Sequence, residues 1–425
     1  MDKKTINWAG FSKKTPKERA IFLERLDLSA DSVATLEQEK LLPLDIANQM
    51  VENVVTRQAL PFSVVPDVLV DGKVYQVPFV TEEPSVVAAA SFASKIIKRS
   101  GGFKTHQDKR QMIGQVALYD VDNKAQATRA ILAKREELLN LANSAYPSIV
   151  KRGGGACELI VEEKGDFLIV YLSVDTKEAM GANMVNTMME ALVPTLEALS
   201  GGKSLMAILS NYATQSLVTS TCQIPLRYLS RKPDEAEQLA HKMALASQLA
   251  QVDPYRASTH NKGIFNGIDA VVLATGNDWR AIEAAGHTYA SRKGSYQGLS
   301  TWSYNSSTKM LEGTLTLPMP IATKGGSIGL NPSTRLAHDL LGQPKATTLA
   351  AIITSIGLAQ NFAALKALTS TGIQASHMKL QAKSLALLAG AAESEVAPLV
   401  KELIKQPTMN LAVAKQLLEH VRQAD

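Results

Sequence analysis

Cysteine, aromatic residues and concentrated charge are all scarce in this chain of 425 residues. Its two cysteines, Cys157 and Cys222, show no CxxC spacing and cannot form a disulfide framework, so we expect a reducing compartment, the cytoplasm. Lys and Arg number 45 against 40 Asp and Glu, a net charge of +5 without a long basic block, which argues against a nucleic-acid partner. The N-terminus lacks the apolar core of a signal peptide.

Long apolar runs are limited to two uncharged stretches, 204–226 and 346–365. Both are long enough to span a bilayer, but both contain several Ser, Thr, Asn or Gln residues. We therefore interpret them as buried parts of a water-soluble protein and expect no membrane association. Apolar residues make up 45% and charged residues 20%, a globular balance, and the length predicts two or three domains.

The middle of the chain predicts a β-α-β-β-α-β order, which is the split βαβ or ferredoxin-like pattern. Its elements are a strand at 112–119, a helix at 124–146, strands at 159–161 and 168–172, a helix at 178–199 and a strand at 205–209. We predict an α+β protein. A large mixed domain would comprise 1–109 and 216–375, an inserted small domain 110–215, and a C-terminal helical flap 376–425.

Elements around this insert are also marked in the sequence. Asp71-Gly72 predicts a hairpin turn, and Pro84 the first turn of a helix. Segment 260–277 is rich in Gly and Asn, and the apolar run 270–273 within it is typical of a strand. Residues 347–368 predict a long helix.

Several common motifs are missing. There is no GxGxxG, GxxxxGK[ST], HExxH or GxSxG. We therefore expect no ordinary Rossmann site, no P-loop, no zinc-protease motif of the HExxH type and no nucleophile elbow of a serine hydrolase. We predict no metal. The glycine-rich pieces 153–155 and 325–329 are interpreted as tight turns.

Four polar residues instead lie in small or apolar surroundings: Glu83, Lys262, Asp278 and His377. Each has an ordinary alternative, since an acid before a helix often caps it, a loop lysine is usually solvated, and a lone histidine is usually structural. If Glu83 were desolvated, its raised pKa would make it a proton donor. A buried Lys262 could stabilise a developing oxyanion.

The chain resembles class II 3-hydroxy-3-methylglutaryl-CoA (HMG-CoA) reductases, the soluble bacterial type. The resemblance rests on six blocks: EEPSVVAAAS from 82, EAMGANMVNTM from 178, ILSNYAT from 208, DPYRASTHNKGIFNGIDAVVLATGNDWRA from 253, GLAQNFAALKAL from 357 and GIQASHMKLQA from 372. It implies reduction of HMG-CoA to mevalonate and CoA by two hydrides from a nicotinamide cofactor, in the mevalonate pathway of isoprenoid biosynthesis.

The same resemblance implies residue roles. Lys262 would stabilise the oxyanion, and Glu83 would donate a proton as the intermediate mevaldehyde becomes mevalonate. Asp278 would lie between them, and His377 would protonate the departing CoA thiolate. The implied substrate contacts are Ser85, Asn211, Arg256, Thr259, Asn266 and Gln360. The implied cofactor contacts are Tyr146, Glu178, Ala179, Met180, Gly181, Asn183 and Asn186.

The resemblance also implies a homodimer with shared active sites, which could associate further into an assembly of dimers. NADPH is favoured over NADH because no acid occupies the stretch 141–147, while Lys151 and Arg152 lie nearby. One departure is Thr56 at the position where the family usually has glycine. It keeps open a CoA-thioester-binding or hydrolysing protein without hydride transfer. A degradative, mevalonate-oxidising enzyme is the other alternative.

Overall fold

The protein is described from a computed structural model, which covers residues 6–370 and 373–424, without the side chains of 373–380 and 423–424. The helices are α1 (Pro16–Leu23), α2 (Ala30–Glu37), α3 (Leu44–Met50), α4 (Val86–Arg99), α5 (Lys124–Ala133), α6 (Arg135–Ala145), α7 (Pro147–Val150), α8 (Ala182–Ser200), α9 (Pro233–Val252), α10 (Pro254–Ala274), α11 (Trp279–Ala290), α12 (Pro332–Leu340), α13 (Ala346–Thr369), α14 (Ile373–Leu388), α15 (Glu393–Leu403) and α16 (Leu411–Ala424). The strands are β1 (Phe62–Val70), β2 (Lys73–Val80), β3 (Lys104–His106), β4 (Met112–Tyr119), β5 (Gly155–Lys164), β6 (Phe167–Asp175), β7 (Lys203–Ser210), β8 (Leu217–Pro225), β9 (Ser300–Asn305) and β10 (Met310–Pro318).

The inserted part forms its own antiparallel sheet, with strand order β5-β6-β4-β7. Helices α5, α6 and α8 pack on this sheet around a separate apolar core that includes Val116, Leu172 and Leu192. The predicted β-α-β-β-α-β order and the α+β class are thereby confirmed. The predicted first helix is divided, because the chain leaves helical geometry at Lys134 between α5 and α6. The domain boundaries stay a prediction.

The larger part contains a second sheet, with order β3-β8-β10-β9, and the hairpin β1-β2. The predicted Asp71-Gly72 turn joins the two hairpin strands. Helices α4, α9, α10 and α13 share one core with these strands. Helix α13 is the one described helix that is long and apolar enough to cross a membrane, and 89% of its apolar 18-residue stretch is buried inside the protein. It is therefore packed as a core helix.

Helix α10 corrects the expectation of a strand-like run at 270–273. The segment is one helix from Pro254 to Ala274, because Asp253 caps its start by accepting hydrogen bonds from the Tyr255 and Arg256 amides and Pro254 fits the first turn. Glycine is useful inside this helix at Gly267, where an added Cβ would lie 3.0 Å from the Ile356 side chain. Close packing against α13 thus outweighs the helix-weakening effect of glycine.

The C-terminal helices α14, α15 and α16 enclose a small apolar core of their own. Its buried residues include Ala386, Leu399, Leu403 and Leu418. The predicted group of three helices, interrupted near Gly390 and Pro407, is confirmed for the described backbone.

Candidate active site

One face of α10 presents three of the six predicted substrate residues together with the predicted catalytic Lys262. Arg256, Thr259, Lys262 and Asn266 are spaced three or four apart, and such a spacing places side chains on one side of a helix. Thr259 and Lys262 are exposed, whereas Arg256 and Asn266 are partly buried. The face therefore offers two cations, a hydroxyl and an amide toward one surface.

Glu83 meets this face from the segment between β2 and α4. Its Oε2 lies 2.5 Å from Lys262 Nζ, and its Oε1 accepts a hydrogen bond from Asn266 Nδ2 at 3.3 Å. The alternative that Glu83 caps α4 is wrong, because Ser85 occupies the N-cap position with φ 74° and no side chain caps the helix. Pro84 accordingly precedes the helix rather than lying in its first turn.

The Lys262–Glu83 pair is more open than the sequence suggested. The Lys262 side chain is 60% exposed and the Glu83 side chain 41% exposed. The expected burial of these two groups is therefore not achieved within one copy of the chain. The expected contact between them is present, and it can hold a carbonyl oxygen beside an ammonium and a potential proton donor.

Asp278 lies elsewhere in the single chain. It is the N-cap of α11, where Oδ1 accepts hydrogen bonds from the Arg280 and Ala281 amides at 3.1 and 3.2 Å. Oδ1 also lies 3.4 Å from Arg280 Nε. Within one chain, the structure thus brings Glu83 and Lys262 together but does not bring Asp278 to them.

A cleft of about 700 Å³ lies between the small sheet's helix α8 and the start of α11. Asp278 lines it, and so do five of the predicted cofactor residues: Tyr146, Ala179, Met180, Gly181 and Asn183. Gly181 is the N-cap of α8 with φ 89°, a conformation that favours glycine. A Cβ there would also lie 2.5 Å from the Thr176 methyl group.

Several cleft residues were not identified from the sequence as site residues. Arg280, Lys324 and the glycine-rich piece at 325–328 line the cleft. Arg152 after α7, which the sequence already placed near the cofactor, lines it as well. The glycine-rich signal was visible but was interpreted as a plain turn. The cleft therefore contains three cationic side chains, which suits an anionic ligand.

Two predicted cofactor residues are not among the described residues that line the cleft. Glu178 accepts hydrogen bonds from the Thr323 hydroxyl and the Ala346 amide. Asn186 Oδ1 accepts one from the Leu209 amide at 2.8 Å. Both side chains connect parts of the protein instead.

The remaining predicted residues are dispersed. Asn211 and Ser85 are exposed, and Gln360 is buried on α13, where its Oε1 has no hydrogen-bond partner among the described residues. His377 falls on the backbone of α14, but its side chain lies outside the described part of the structure. In the described residues, no group of His, Cys, Asp or Glu has the arrangement of a metal site.

A buried polar network behind α10 was also missed. His260 Nε2 lies 2.7 Å from Ser300 Oγ, and Asn361 Oδ1 accepts hydrogen bonds from Ser300 and from Trp302 Nε1 at 2.7 Å. Burial, together with the charge of Arg256, lowers the pKa of His260 to about 4. The imidazole is therefore neutral at pH 7, and the network is part of the support of α10.

An ammonium–carboxylate pair on the polar face of a helix and a separate cationic cleft suit an enzyme that polarises a carbonyl group and binds an anionic ligand. Comparison with known proteins identifies the family. A sequence model described as "Hydroxymethylglutaryl-coenzyme A reductase" matches residues 15–382.

Relatives support the same family. A 3-hydroxy-3-methylglutaryl-coenzyme A reductase of Archaeoglobus fulgidus is 39% identical over 97% of this chain and 94% of its own length. A solved HMG-CoA reductase of Streptococcus pneumoniae is 64% identical, with a TM-score of 0.86 over 98% of this chain and 100% of that chain. A class II structure from the same organism, described as bound to NADPH in open conformations, is 63% identical with a TM-score of 0.85 over 86% of this chain and 100% of that chain.

This chain belongs to the hydroxymethylglutaryl-coenzyme A reductase family. The predicted resemblance and the predicted reductase function are confirmed at the level of the family. Enzymes of this family act in the mevalonate pathway.

Proposed function

We propose that this chain reduces (S)-HMG-CoA to (R)-mevalonate and CoA in two steps, with NADPH as the preferred reductant. The observation that carries the proposal is the Lys262–Glu83 contact of 2.5 Å on the polar face of α10. A thioester carbonyl placed there would direct its oxygen at a positive charge. The reaction needs that charge twice, because negative charge develops on oxygen in each reduction.

The residues divide the chemistry between them. Lys262 stabilises the oxyanion of the thioester and later that of mevaldehyde. Collapse of the first oxyanion expels CoA as a thiolate, which His377 protonates. Glu83 takes up a proton from solvent and passes it to the second oxyanion, which completes mevalonate and leaves a carboxylate beside Lys262. Arg256 binds the free carboxylate of the substrate through its planar guanidinium.

Other polar side chains would orient the HMG group. Ser85 lies at the start of α4 beside Glu83, and Thr259 and Asn266 share the face of α10. Asn266 already donates to Glu83 and so aligns its carboxylate. We include Asn211 and Gln360 in this set because of the family resemblance.

NADPH supplies the two hydrides when it is bound. The cleft fits a dinucleotide because its volume is about 700 Å³, Gly181 permits a close approach to the start of α8, and unpaired amides of a helix start suit a pyrophosphate. Arg152 and Lys324 offer cationic partners for a ribose 2′-phosphate. We assign this cleft to the inserted domain 110–215, working with the neighbouring segment 320–328.

A homodimer would complete the active site. Asp278 lines the cofactor cleft but does not reach Lys262 in its own chain, so a second copy would bring the two halves together. An apolar stripe is available for such an interface on α9 and the first turn of α10. Its exposed residues are Leu245, Leu249, Val252 and Tyr255. The C-terminal flap, 376–425, would then carry His377 over the shared site, in a cytoplasmic enzyme.

Purified protein, HMG-CoA and either reduced cofactor test this proposal. We expect two NADPH oxidised for each CoA released, with a higher kcat/KM for NADPH than for NADH. CoA release without cofactor oxidation would favour the thioester-hydrolysing alternative. Faster oxidation of mevalonate with CoA and NAD⁺ would favour the degradative one.

A further inference from the structure

Two oppositely charged side chains lie behind the cleft rather than in it. Neither Arg110 nor Glu178 is among the described residues that line the cleft. Both are partly buried; Arg110 donates hydrogen bonds to the loop 176–181 that leads into α8, and Glu178 is a residue of that loop. A second wall of the cleft is formed in part by residues 320–322 and Lys324.

Arg110 joins these two walls through its guanidinium. It donates to Thr176 Oγ1 at 3.2 Å and to the Ala179 carbonyl at 3.0 Å, and also to the carbonyl of Lys177. A further hydrogen bond goes to the carbonyl of Ile321 in the second wall. Only the planar fork of arginine offers enough donors in fixed directions for these acceptors, and lysine would lose several of them.

Glu178 makes the second connection. Its Oε2 accepts hydrogen bonds from Thr323 Oγ1 at 2.6 Å and from the Ala346 amide at 2.7 Å. Its own carbonyl accepts from the Thr323 and Lys324 amides at 2.9 and 3.1 Å. The Glu178 carboxylate therefore binds Thr323 and the start of α13 in this structure.

We propose that Arg110 and Glu178 are positioning residues that lock the loop 176–181 to segment 321–324 and so fix the width of the cofactor cleft. The proposal rests on the proposed function of that cleft. It assigns Glu178 a role different from the cofactor contact that the family resemblance implied. We call these contacts of Arg110 and Glu178 with segment 321–324 the joint. Burial lowers the pKa of Arg110, whereas the carboxylates of Glu178 and Asp175 raise it, as expected for a positive charge held inside the joint.

Variants of the full chain test the role. Thr323→Val removes one hydroxyl from a residue that does not line the cleft, and Glu178→Ala and Arg110→Lys remove larger parts of the joint. We expect the NADPH Kd to rise about tenfold for the larger changes and about threefold for Thr323→Val, because each loses hydrogen bonds that hold the wall. The KM for HMG-CoA should stay within about twofold, since α10 is not part of the joint.

A double variant separates a positioning role from direct cofactor binding. With Glu178→Ala already present, Thr323→Val should weaken NADPH binding no further, because the two changes remove the same contact. Amide hydrogen exchange should also rise in 176–181 and 321–324 without a change in the α13 core. Additive effects on the NADPH Kd would instead mean that Glu178 affects NADPH binding independently of Thr323, which would overturn the proposed role.

The possible failures are distinguishable. A parent enzyme that binds and oxidises no nicotinamide refutes the proposed function and this inference together. A parent that turns over while folded Arg110→Lys and Thr323→Val keep the parental NADPH Kd refutes the joint alone. If Arg110→Lys does not fold, the milder Thr323→Val decides.

Discussion

Replacement of Lys262 by methionine should separate catalysis from stability. The side chains of Lys262 and Glu83 are 60% and 41% exposed, so their ion pair is screened by water. Such pairs contribute about 0.2–1 kcal/mol to stability. An oxyanion donor acts on the transition state, and losing one lowers kcat about 10²–10³-fold. We therefore expect Lys262→Met to fold with nearly parental stability and to lose nearly all turnover.

The chain provides a matched control for this substitution. Lys309 Nζ lies 2.9 Å from Glu237 Oε1, and the two side chains are 57% and 40% exposed, close to the values at the candidate site. Lys309→Met should leave turnover within about twofold, as surface substitutions usually do. NADPH oxidation measures kcat, and urea unfolding measures stability. If Lys262→Met kept more than about a tenth of the parental kcat, or if both variants lost activity equally, the oxyanion role would be refuted.

Three further substitutions give distinct expectations. Asp278→Asn should keep the stability of α11 within about 0.5 kcal/mol, because asparagine caps a helix as well as aspartate does. Turnover should fall about 10²-fold or more, and parental turnover would contradict a catalytic carboxylate. Arg152→Ala should raise the KM for NADPH about tenfold and leave that for NADH within about twofold, and an equal rise for both would contradict a 2′-phosphate contact. The pKa of His260 is about 4 in the folded protein and near 6.5 in the unfolded chain. As pH falls from 6.5 toward 4, the unfolded chain takes up a proton that the folded protein does not, so the folded protein is progressively destabilised. Urea unfolding should therefore show a loss of up to about 3 kcal/mol over that range, smaller in His260→Gln, and the same pH dependence in both proteins would refute this assignment.

Much of the secondary structure follows from local patterns. The strand at 112–119 has the predicted bounds, and Asp71-Gly72 turns the hairpin as expected. The local pattern of 254–274 does not specify its secondary structure, because its Gly and Asn residues weaken helix propensity while its β-branched residues favour a strand. Packing of α10 against α13, with Gly267 at the contact, outweighs those local preferences.

The candidate site divides in the same way. The residue types predict an ammonium group and carboxylic acids at the site, but the sequence does not specify how exposed these groups are or which partners they contact. Glu178 appeared in a cofactor motif, yet its carboxylate is bound to Thr323 and the start of α13. Such contacts depend on how separate segments meet, and no local pattern specifies them.

The sequence by itself determined the family, the order of the elements and the chemical groups available to the site, because these follow from residue identity and from periodicities of a few residues. The tertiary structure decided which groups meet: it carries Glu83 to Lys262 across 179 residues of chain and leaves Asp278 in another cleft. The physical reason is that hydrogen bonds of caps and turns are local, whereas contacts between distant segments are set by the burial of a shared apolar core.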